Sequence, residues 1–420
     1  MDLRKDIPAV AFMAMLFLAS IGLSMLFSLT FQQQNIRAFE DPDSLANPLI
    51  YLGVVVVFTI GILLIAKFGR RVLIKYVILG SILMTIYYVA WPLLVSVMGA
   101  GDPVGPSELV AGVVSVGLTA LLWFYPEWYV IDAVGIVVAA GAAGIFGISF
   151  GLLPCLILLT AFAVYDAIAV YRTKHMLALA DSVLELRLPI MFVVPKTRGY
   201  SFLEETRQLS EPKTAAPAAG APAIMVTKEL RADGFEMRVT VGNIAAPDRT
   251  TIWLTRPDGT RESMGVVGAE ALSVQVPRDA IGVYTVEARE YDNVVATATE
   301  RVEKRREAMF MGLGDAVIPA VLVVSAMTFL APTAFPVGKI PAYIADAPMV
   351  AGITPWFFVA LATLAGSFAG FLALMYFVLK GRPHAGLPLL NGGAIVGFLL
   401  SLVPLFGVSP LVDPIRGLFG

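Results

Sequence analysis

Cysteine, histidine and charged side chains are scarce in this sequence of 420 residues. The single cysteine, Cys155, cannot form a disulfide within the chain and lies in an apolar run, so we interpret it as a packing residue. The two histidines, His175 and His384, are too few for a metal site or a His-based triad. Charged residues make up only 15% of the chain and the net charge is −2, which gives no support for nucleic-acid binding. We therefore expect no metal, no cofactor and no redox chemistry.

Apolar residues, in contrast, make up 58% of the chain. A membrane-spanning helix needs roughly 20 mostly apolar residues. Segments of this kind lie near residues 7–31, 47–67, 72–98, 107–124, 127–148, 152–172, 308–331, 350–379 and 387–407. The first is too long for a signal-peptide core and leads directly into another span, so we interpret it as retained. The sequence predicts an all-α polytopic membrane protein of about nine transmembrane helices.

Basic residues fall in alternate connections between these segments, and short loops rich in Lys and Arg stay in the cytoplasm. The basic residues concerned are Arg4, Lys5, Lys67, Arg70, Arg71, Lys75, Arg172, Lys174, Lys380 and Arg382. This pattern predicts a cytoplasmic N-terminus, a cytoplasmic connection between spans six and seven, and a C-terminus outside.

The connection between spans six and seven is long and polar. It begins with a mixed stretch, 175–187, that predicts an amphipathic helix. The run 188–195 is bounded by prolines and rich in β-formers, which indicates a strand. An Ala- and Pro-rich linker occupies 211–223. We predict spans 1–6 over 1–172, the extension, strand and linker over 173–223, an inserted domain over 224–303, and spans 7–9 with the tail over 304–420.

The inserted segment shows short runs with polar alternation, typical of strands, and the turn sequence Pro257-Asp258-Gly259. The runs are 235–241, 250–255, 273–276, 283–289 and 294–300. Their number and spacing predict a small all-β domain, an immunoglobulin-like sandwich, between helices 6 and 7. It contains no catalytic constellation, so we expect a binding or spacing role.

Three acidic residues lie within predicted spans, where a carboxylate is costly and therefore indicates function. Asp166 lies six residues before Arg172, about 9 Å inside the cytoplasmic end at the helical rise. Asp315 lies nine residues beyond Arg306, about 13 Å inside. Asp132 is close to a predicted membrane boundary, and we expect a helix start or a structural hydrogen bond there.

Spans six and seven run antiparallel in the predicted topology, so Asp166 and Asp315 can face each other at one level. Two close carboxyls cannot both ionise and share a proton. The charged one then activates water and the protonated one polarises a scissile carbonyl, which is the chemistry of an aspartyl protease.

Smaller features accompany the two aspartates. Gly312 and Gly314 remove side chains beside Asp315, which favours either the close approach of another backbone or helix packing. Tyr165 either donates a hydrogen bond near the dyad or packs as an aromatic. Pro388, followed by Asn391 and two glycines, predicts irregular backbone at the start of the last span, at the depth of the aspartates.

At these residues the sequence resembles the presenilin and signal peptide peptidase family, and more closely its archaeal presenilin-homologue branch. Tyr165-Asp166 matches the family's Tyr-Asp motif, and Gly312-Leu313-Gly314-Asp315 matches its Gly-x-Gly-Asp motif. Pro388-Leu389-Leu390 stands in place of the Pro-Ala-Leu motif, with Leu where the family usually has Ala. The resemblance covers about 1–203 and 306–407, and the β-rich insert falls outside it.

The resemblance implies proteolysis within the bilayer, with single-span membrane proteins or remnant signal peptides as substrates and with no metal or organic cofactor. It implies catalysis by Asp166 and Asp315 and substrate binding at the other motif residues. In the family the substrate unwinds and pairs as a strand near the site. The stretch Ile190-Met191-Phe192-Val193-Val194 is either one edge of such pairing or a plain linker strand.

Two alternatives stay open at this stage. A prepilin peptidase also uses a Gly-x-Gly-Asp aspartate in a membrane, but the Tyr-Asp and Pro-Leu-Leu elements fit that class poorly. A cation channel or transporter would use paired intramembrane aspartates to bind or relay ions. A transporter is favoured by internal repeats, and the two halves of the sequence show no convincing repeat. The sequence leaves the oligomeric state open.

Overall fold

The structure, a computed structural model, describes most of the chain. The described residues are 3–67, 71–99, 105–173, 191–197, 199–204, 223–231, 234–244, 246–268, 272–277, 282–291, 293–302, 308–335, 340–380 and 384–413. They form two compact units, one of residues 1–209 with 308–420 and the other of residues 210–307. The predicted amphipathic helix over 175–187 lies outside the described residues, as does the predicted linker over 211–223 except for Ala223, which begins a strand.

The larger unit is mainly helical. Its helices are α1 (Leu3–Gln33), α2 (Ala46–Lys67), α3 (Arg71–Met98), α4 (Pro106–Phe124), α5 (Trp128–Gly147), α6 (Leu152–Ile168), α7 (Leu313–Phe329), α8 (Ala342–Ala345), α9 (Pro355–Leu379) and α10 (Gly386–Phe406). A π-helical turn, Ala169–Thr173, continues α6. Within the described residues, seven of these helices are long and apolar enough to cross a membrane, and α2 and α7 contain shorter apolar stretches.

Strands occur in both units. They are β1 (Met191–Pro195), β2 (Ala223–Arg231), β3 (Gly234–Gly242), β4 (Thr250–Thr255), β5 (Arg261–Val266), β6 (Leu272–Pro277), β7 (Gly282–Glu290), β8 (Asn293–Val302) and β9 (Ala308–Gly312). In the larger unit, β1 pairs antiparallel with β9, from Met191 opposite Gly312 to Pro195 opposite Ala308. The predicted strand over 188–195 is thus confirmed for its described part.

Two predictions for the helices are wrong. Residues 308–312 belong to strand β9 and not to the seventh span, so the helical rise does not give the depth of Asp315. The start of the last span is helical and not irregular, because α10 runs without interruption from Gly386. Pro388 is tolerated there because it lies in the first turn, where backbone N–H groups have no partner within the helix.

The smaller unit consists of two antiparallel sheets with strand orders β2-β3-β6 and β5-β4-β7-β8. Side chains of both sheets, such as Met237, Val276, Leu254 and Tyr284, form one buried cluster. All five predicted strand runs are confirmed, whereas β2 and β5 were not predicted. β2 contains the charged run Thr227-Lys-Glu-Leu-Arg231, and β5 begins with Arg261 and Glu262, so neither shows the composition typical of strands.

Helix α7 lies in the interior of the larger unit. Its residues from Ala316 to Thr328 are almost all buried, and α1, α5, α6, α9 and α10 contact it. Gly147 of α5 allows this close packing, because a Cβ there would lie only 2.4 Å from Val324 Cβ. A helix enclosed in this way holds the residues of its first turn, including Asp315, in a fixed place.

Candidate active site

The Asp315 side chain is held by the start of its own helix. Gly312 is the N-cap of α7, and Asp315 is the third residue of the helix. The Gly312 N–H donates to the Asp315 carboxylate. A side chain at this position commonly bonds back to the N-cap N–H, so the Gly-x-Gly-Asp sequence dictates the contact locally.

The Asp166 side chain is held by a different helix. Asp166 lies near the end of α6, is 6% exposed, and its Oδ2 accepts the Leu387 N–H at 3.0 Å. The Gly386 N–H also donates to this carboxylate. Both donors belong to the first turn of α10, where N–H groups have no helical partner and the helix dipole favours negative charge. A π-helical turn begins at Ala169, three residues after Asp166, and such turns are frequent at functional sites.

The two carboxyl groups meet at Gly386. A Cβ on Gly386 would lie 3.3 Å from Cγ, Oδ1 and Oδ2 of Asp315. The same residue donates its N–H to Asp166, and Asp166 lies close enough to interact electrostatically with Asp315. The structure therefore brings together Asp166 and Asp315, which are 149 positions apart in the sequence.

The start of α10 is positioned by unusually close helix packing. Glycines of α9 and α10 face each other, so that a Cβ on Gly393 would lie 2.2 Å from the Gly366 carbonyl oxygen. A Cβ on Gly370 would similarly lie 2.2 Å from the Leu389 carbonyl oxygen. Small residues of this kind let two helix backbones approach in a membrane. On the other side of α10, Asn391 is fully buried and its Nδ2 donates to the Leu159 carbonyl of α6 at 2.9 Å.

The remaining motif residues differ in their surroundings. Gly312 and Gly314 are exposed, and no atom lies within 4 Å of a Cβ built on Gly314. Helix packing thus does not require glycine at position 314, and the space beside Asp315 is open. Leu313 contacts α5, where a Cβ on Gly135 would lie 3.1 Å from its Cδ2. Tyr165 is 48% exposed, although it is adjacent to Asp166.

The Pro-Leu-Leu segment forms the first turn of α10 beyond the two donors. Pro388 and Leu389 are partly buried and Leu390 is fully buried. Their place next to Gly386 and Leu387 brings the third predicted motif to the two aspartates. The helical backbone, and not an irregular one, produces this arrangement.

Strand β1 lies beside the site through its partner β9, which leads directly into α7. Met191 is opposite Gly312, the N-cap of α7, and Phe192 and Val194 are buried in the main core. Ile190 lies outside the described residues. Asp132 is 3% exposed and its Oδ1 accepts the Val193 N–H at 2.7 Å, which confirms the expected structural hydrogen bond.

Sequence reasoning missed Gly386, Leu387 and Asn391 as parts of the site. A weak signal existed for Gly386, since it comes two residues before Pro388, and proline is favoured in the first turn of a helix. Nothing in the sequence pairs Leu387 with Asp166 or Asn391 with Leu159. The site thus contains two neighbouring carboxyl groups that accept backbone hydrogen bonds, with open space beside them. This arrangement suits the activation of a water molecule for attack on a carbonyl group.

The family of the chain is shown by comparison with known proteins. A family model described as signal-peptide peptidase, presenilin aspartyl protease matches residues 13–229 and 280–408. A solved structure of a presenilin family intramembrane aspartate protease, in space group C222, is similar with 26% identity and a TM-score of 0.50, covering 94% of this chain and 99% of that chain. The structure in space group P2 gives 27% identity, a TM-score of 0.49, and coverage of 93% and 96%. No curated protein matched the chain.

The family model and the structure in space group C222 favour the protease over a prepilin peptidase or an ion channel. With its apolar helices, the chain is an integral multi-pass membrane protein that acts on transmembrane segments in the lipid bilayer. It is an intramembrane aspartyl protease and belongs to the signal-peptide peptidase and presenilin family.

Proposed function

We propose that Asp166 and Asp315 form the catalytic dyad that hydrolyses peptide bonds in transmembrane segments. The observation that carries the proposal is the meeting of both carboxyl groups at Gly386 and Leu387, the first two residues of α10. The pair shares a proton, because two carboxylates at this separation repel each other. The charged member takes a proton from water, and the protonated member donates a hydrogen bond to the scissile carbonyl.

The substrate of the proposed dyad is an extended piece of a single-span membrane protein or of a remnant signal peptide. An extended chain is needed because the carbonyl groups of a helix are blocked by their own hydrogen bonds. The open space beside Gly314 gives such a chain access to Asp315. The sheet of β1 and β9 offers it main-chain hydrogen bonds next to the site. The proposed substrate-binding site is lined by Tyr165, Gly312, Leu313 and Pro388–Leu390.

We propose nine membrane spans, with the N-terminus in the cytoplasm and the C-terminus outside. Helix α7 has 17 residues, which is at the lower end of the length of a span, and α2 has 22. These two helices and the seven that are long and apolar enough to cross a membrane make nine, an odd number, which places the termini on opposite sides. The alternating Lys and Arg clusters support this orientation.

We further propose that β2–β8 form an immunoglobulin-like module that tethers or orients substrate. The strand orders β2-β3-β6 and β5-β4-β7-β8 alternate between two sheets around one core, as in sandwiches of this class. The position of the module between the segments that carry Asp166 and Asp315 motivates the role in substrate selection.

The dyad is tested by cleavage of a fluorescent single-span substrate by detergent-purified protein. Asp166→Ala and Asp315→Ala, made separately, are each expected to abolish cleavage, because neither carboxyl alone supplies both a base and an acid. Asp346→Ala, at an exposed acidic residue following α8, is the matched control and should retain cleavage. Thermal unfolding checks that the variants fold. Cleavage retained by a folded Asp166→Ala or Asp315→Ala variant would contradict the aspartyl dyad at these positions.

A further inference from the structure

The two edges of the small sheet differ in what lies against them. In an antiparallel pair, residues alternate between those whose N–H and C=O face the partner strand and those whose groups face outward. The Val193 N–H donates to Asp132 of α5, so the pair Val193 and Phe310 faces outward on both strands. The Gly312 N–H agrees with this alternation, since it donates to Asp315 and not to β1.

The outer edge of β1 is fastened to helix α5. Asp132 accepts the Val193 N–H, and the next outward position along β1 is Pro195, which has no N–H. One turn after Asp132, a Cβ on Gly135 would lie 3.2 Å from the Phe192 ring and 3.1 Å from Leu313. One face of α5 therefore contacts both β1 and the first residue of α7.

The outer edge of β9 is different. Among the described residues the sheet contains only two strands, so β9 has no strand partner on that side. Phe310 presents its N–H and C=O outward five residues before Asp315, by the alternation given above. An extended substrate that pairs with this edge runs directly past the aspartates.

The Asp132 carboxyl group is costly where it lies. It is 3% exposed, and its Oδ2 has no hydrogen-bond partner within the described part of the chain. A buried polar atom without a partner costs about 1–3 kcal/mol. If position 132 were needed only for packing, an apolar side chain would be more stable there. We infer that the position requires a hydrogen-bond acceptor for the Val193 N–H.

We propose that Asp132 is a positioning residue that holds the edge of β9 in register with Asp315. Through Val193 it fixes β1, β1 fixes β9 by pairing, and β9 ends at Gly312, the residue that donates to Asp315. Asp132 thus determines which peptide bond of a substrate comes to the dyad, without touching the substrate. The proposal rests on the proposed dyad and adds the residue that sets the cleavage position.

The test compares Asp132→Asn with Asp132→Leu, which have similar size and differ in whether an acceptor remains. The products of the single-span substrate are identified by mass spectrometry, together with kcat and KM. Asp132→Asn is expected to cut at the wild-type position. Asp132→Leu is expected to give a spread of cleavage positions and a kcat about tenfold lower, because the register is no longer fixed.

The control is Glu127→Leu. This variant removes hydrogen bonds between the start of α5 and the residues that follow β1, farther from the sheet than Asp132. Glu127 accepts the Ser201 hydroxyl at 2.7 Å and the Phe202 N–H at 3.1 Å. This variant should unfold at a lower temperature but cut at the wild-type position, so a general loss of stability is distinguished from a loss of register.

Three results would overturn the proposal: wild-type products from Asp132→Leu, altered products from Asp132→Asn, or an Asp132→Leu protein that does not fold. Asp315→Ala is measured beside them. If it is inactive while Asp132→Leu cuts at the wild-type position, the positioning role fails and the dyad stands. If Asp315→Ala still cleaves, the dyad itself fails.

Discussion

The two aspartates are held by helix starts of different origin. Asp315 receives an N–H from Gly312, three residues earlier in the same helix start. Asp166 receives N–H groups from Gly386 and Leu387, and the Leu387 donor is 221 positions away in the sequence. The first contact is encoded by four consecutive residues, whereas the second exists only after α6, α9 and α10 have packed. The Asp166 side of the site is therefore the side that distant packing changes can damage.

Adding a side chain to the glycine contact between α9 and α10 should have the largest effect among the packing variants. In Gly393→Ala the new Cβ would lie 2.2 Å from a backbone oxygen of Gly366, so the helices must separate. We expect a loss of about 1–3 kcal/mol in the free energy of unfolding. We also expect at least about a tenfold loss of kcat, because the donors to Asp166 move.

The neighbouring glycine provides the matched control. No atom lies within 4 Å of a Cβ on Gly392, so Gly392→Ala should fold at least as well as the wild type and retain activity. Thermal unfolding and cleavage rates are measured for both variants. Equal behaviour of Gly392→Ala and Gly393→Ala would show that the packing of α10 does not support Asp166.

A methyl group between the two carboxyl groups should give an intermediate effect. In Gly386→Ala the Cβ would lie 3.3 Å from three atoms of Asp315, which must then shift by a few tenths of an ångström. The helical backbone accepts alanine, so the unfolding temperature should stay unchanged or rise. We expect kcat to fall about fivefold through the displaced carboxyl group. A variant that loses stability and activity together would contradict this separation of the two effects.

Removal of the segment that contains β2–β8 should have the smallest effect on the chemistry. Replacing residues 211–303 with a short linker leaves both aspartates and both helix starts in place. We expect the rate on a short single-span substrate to be nearly unchanged, and the relative rates on several substrates with different extramembrane portions to change. Unchanged selectivity across such a panel would argue against the substrate-orienting role of the module.

Local sequence patterns were sufficient for a large part of this arrangement. Long apolar runs predicted the helices, the alternating runs predicted five strands of the smaller unit, and the two aspartate motifs predicted the candidate site. Gly312-Leu-Gly-Asp315 was interpretable because its geometry is local, within one helix start. The extended run before Pro195 was likewise found from its prolines and β-formers.

The errors concern contacts between distant residues. Residues Ala308–Gly312 are as apolar as the helix that follows, and only their partner Met191–Pro195 makes them a strand. The donors of α10 to Asp166, and the bond from Val193 to Asp132, likewise depend on packing that no local pattern records. Pro388 was misinterpreted because a proline disrupts a helix in its interior but not in its first turn.

The long-range bond between Leu387 and Asp166 also bears on the biogenesis of the protein. A ribosome that has synthesised the chain as far as α7 has already produced both carboxyl groups. The donors to Asp166 are not yet made at that stage, and they appear only when α10 is synthesised. A polypeptide that has been synthesised only as far as α7 therefore holds both carboxyl groups but lacks the N–H donors that position Asp166.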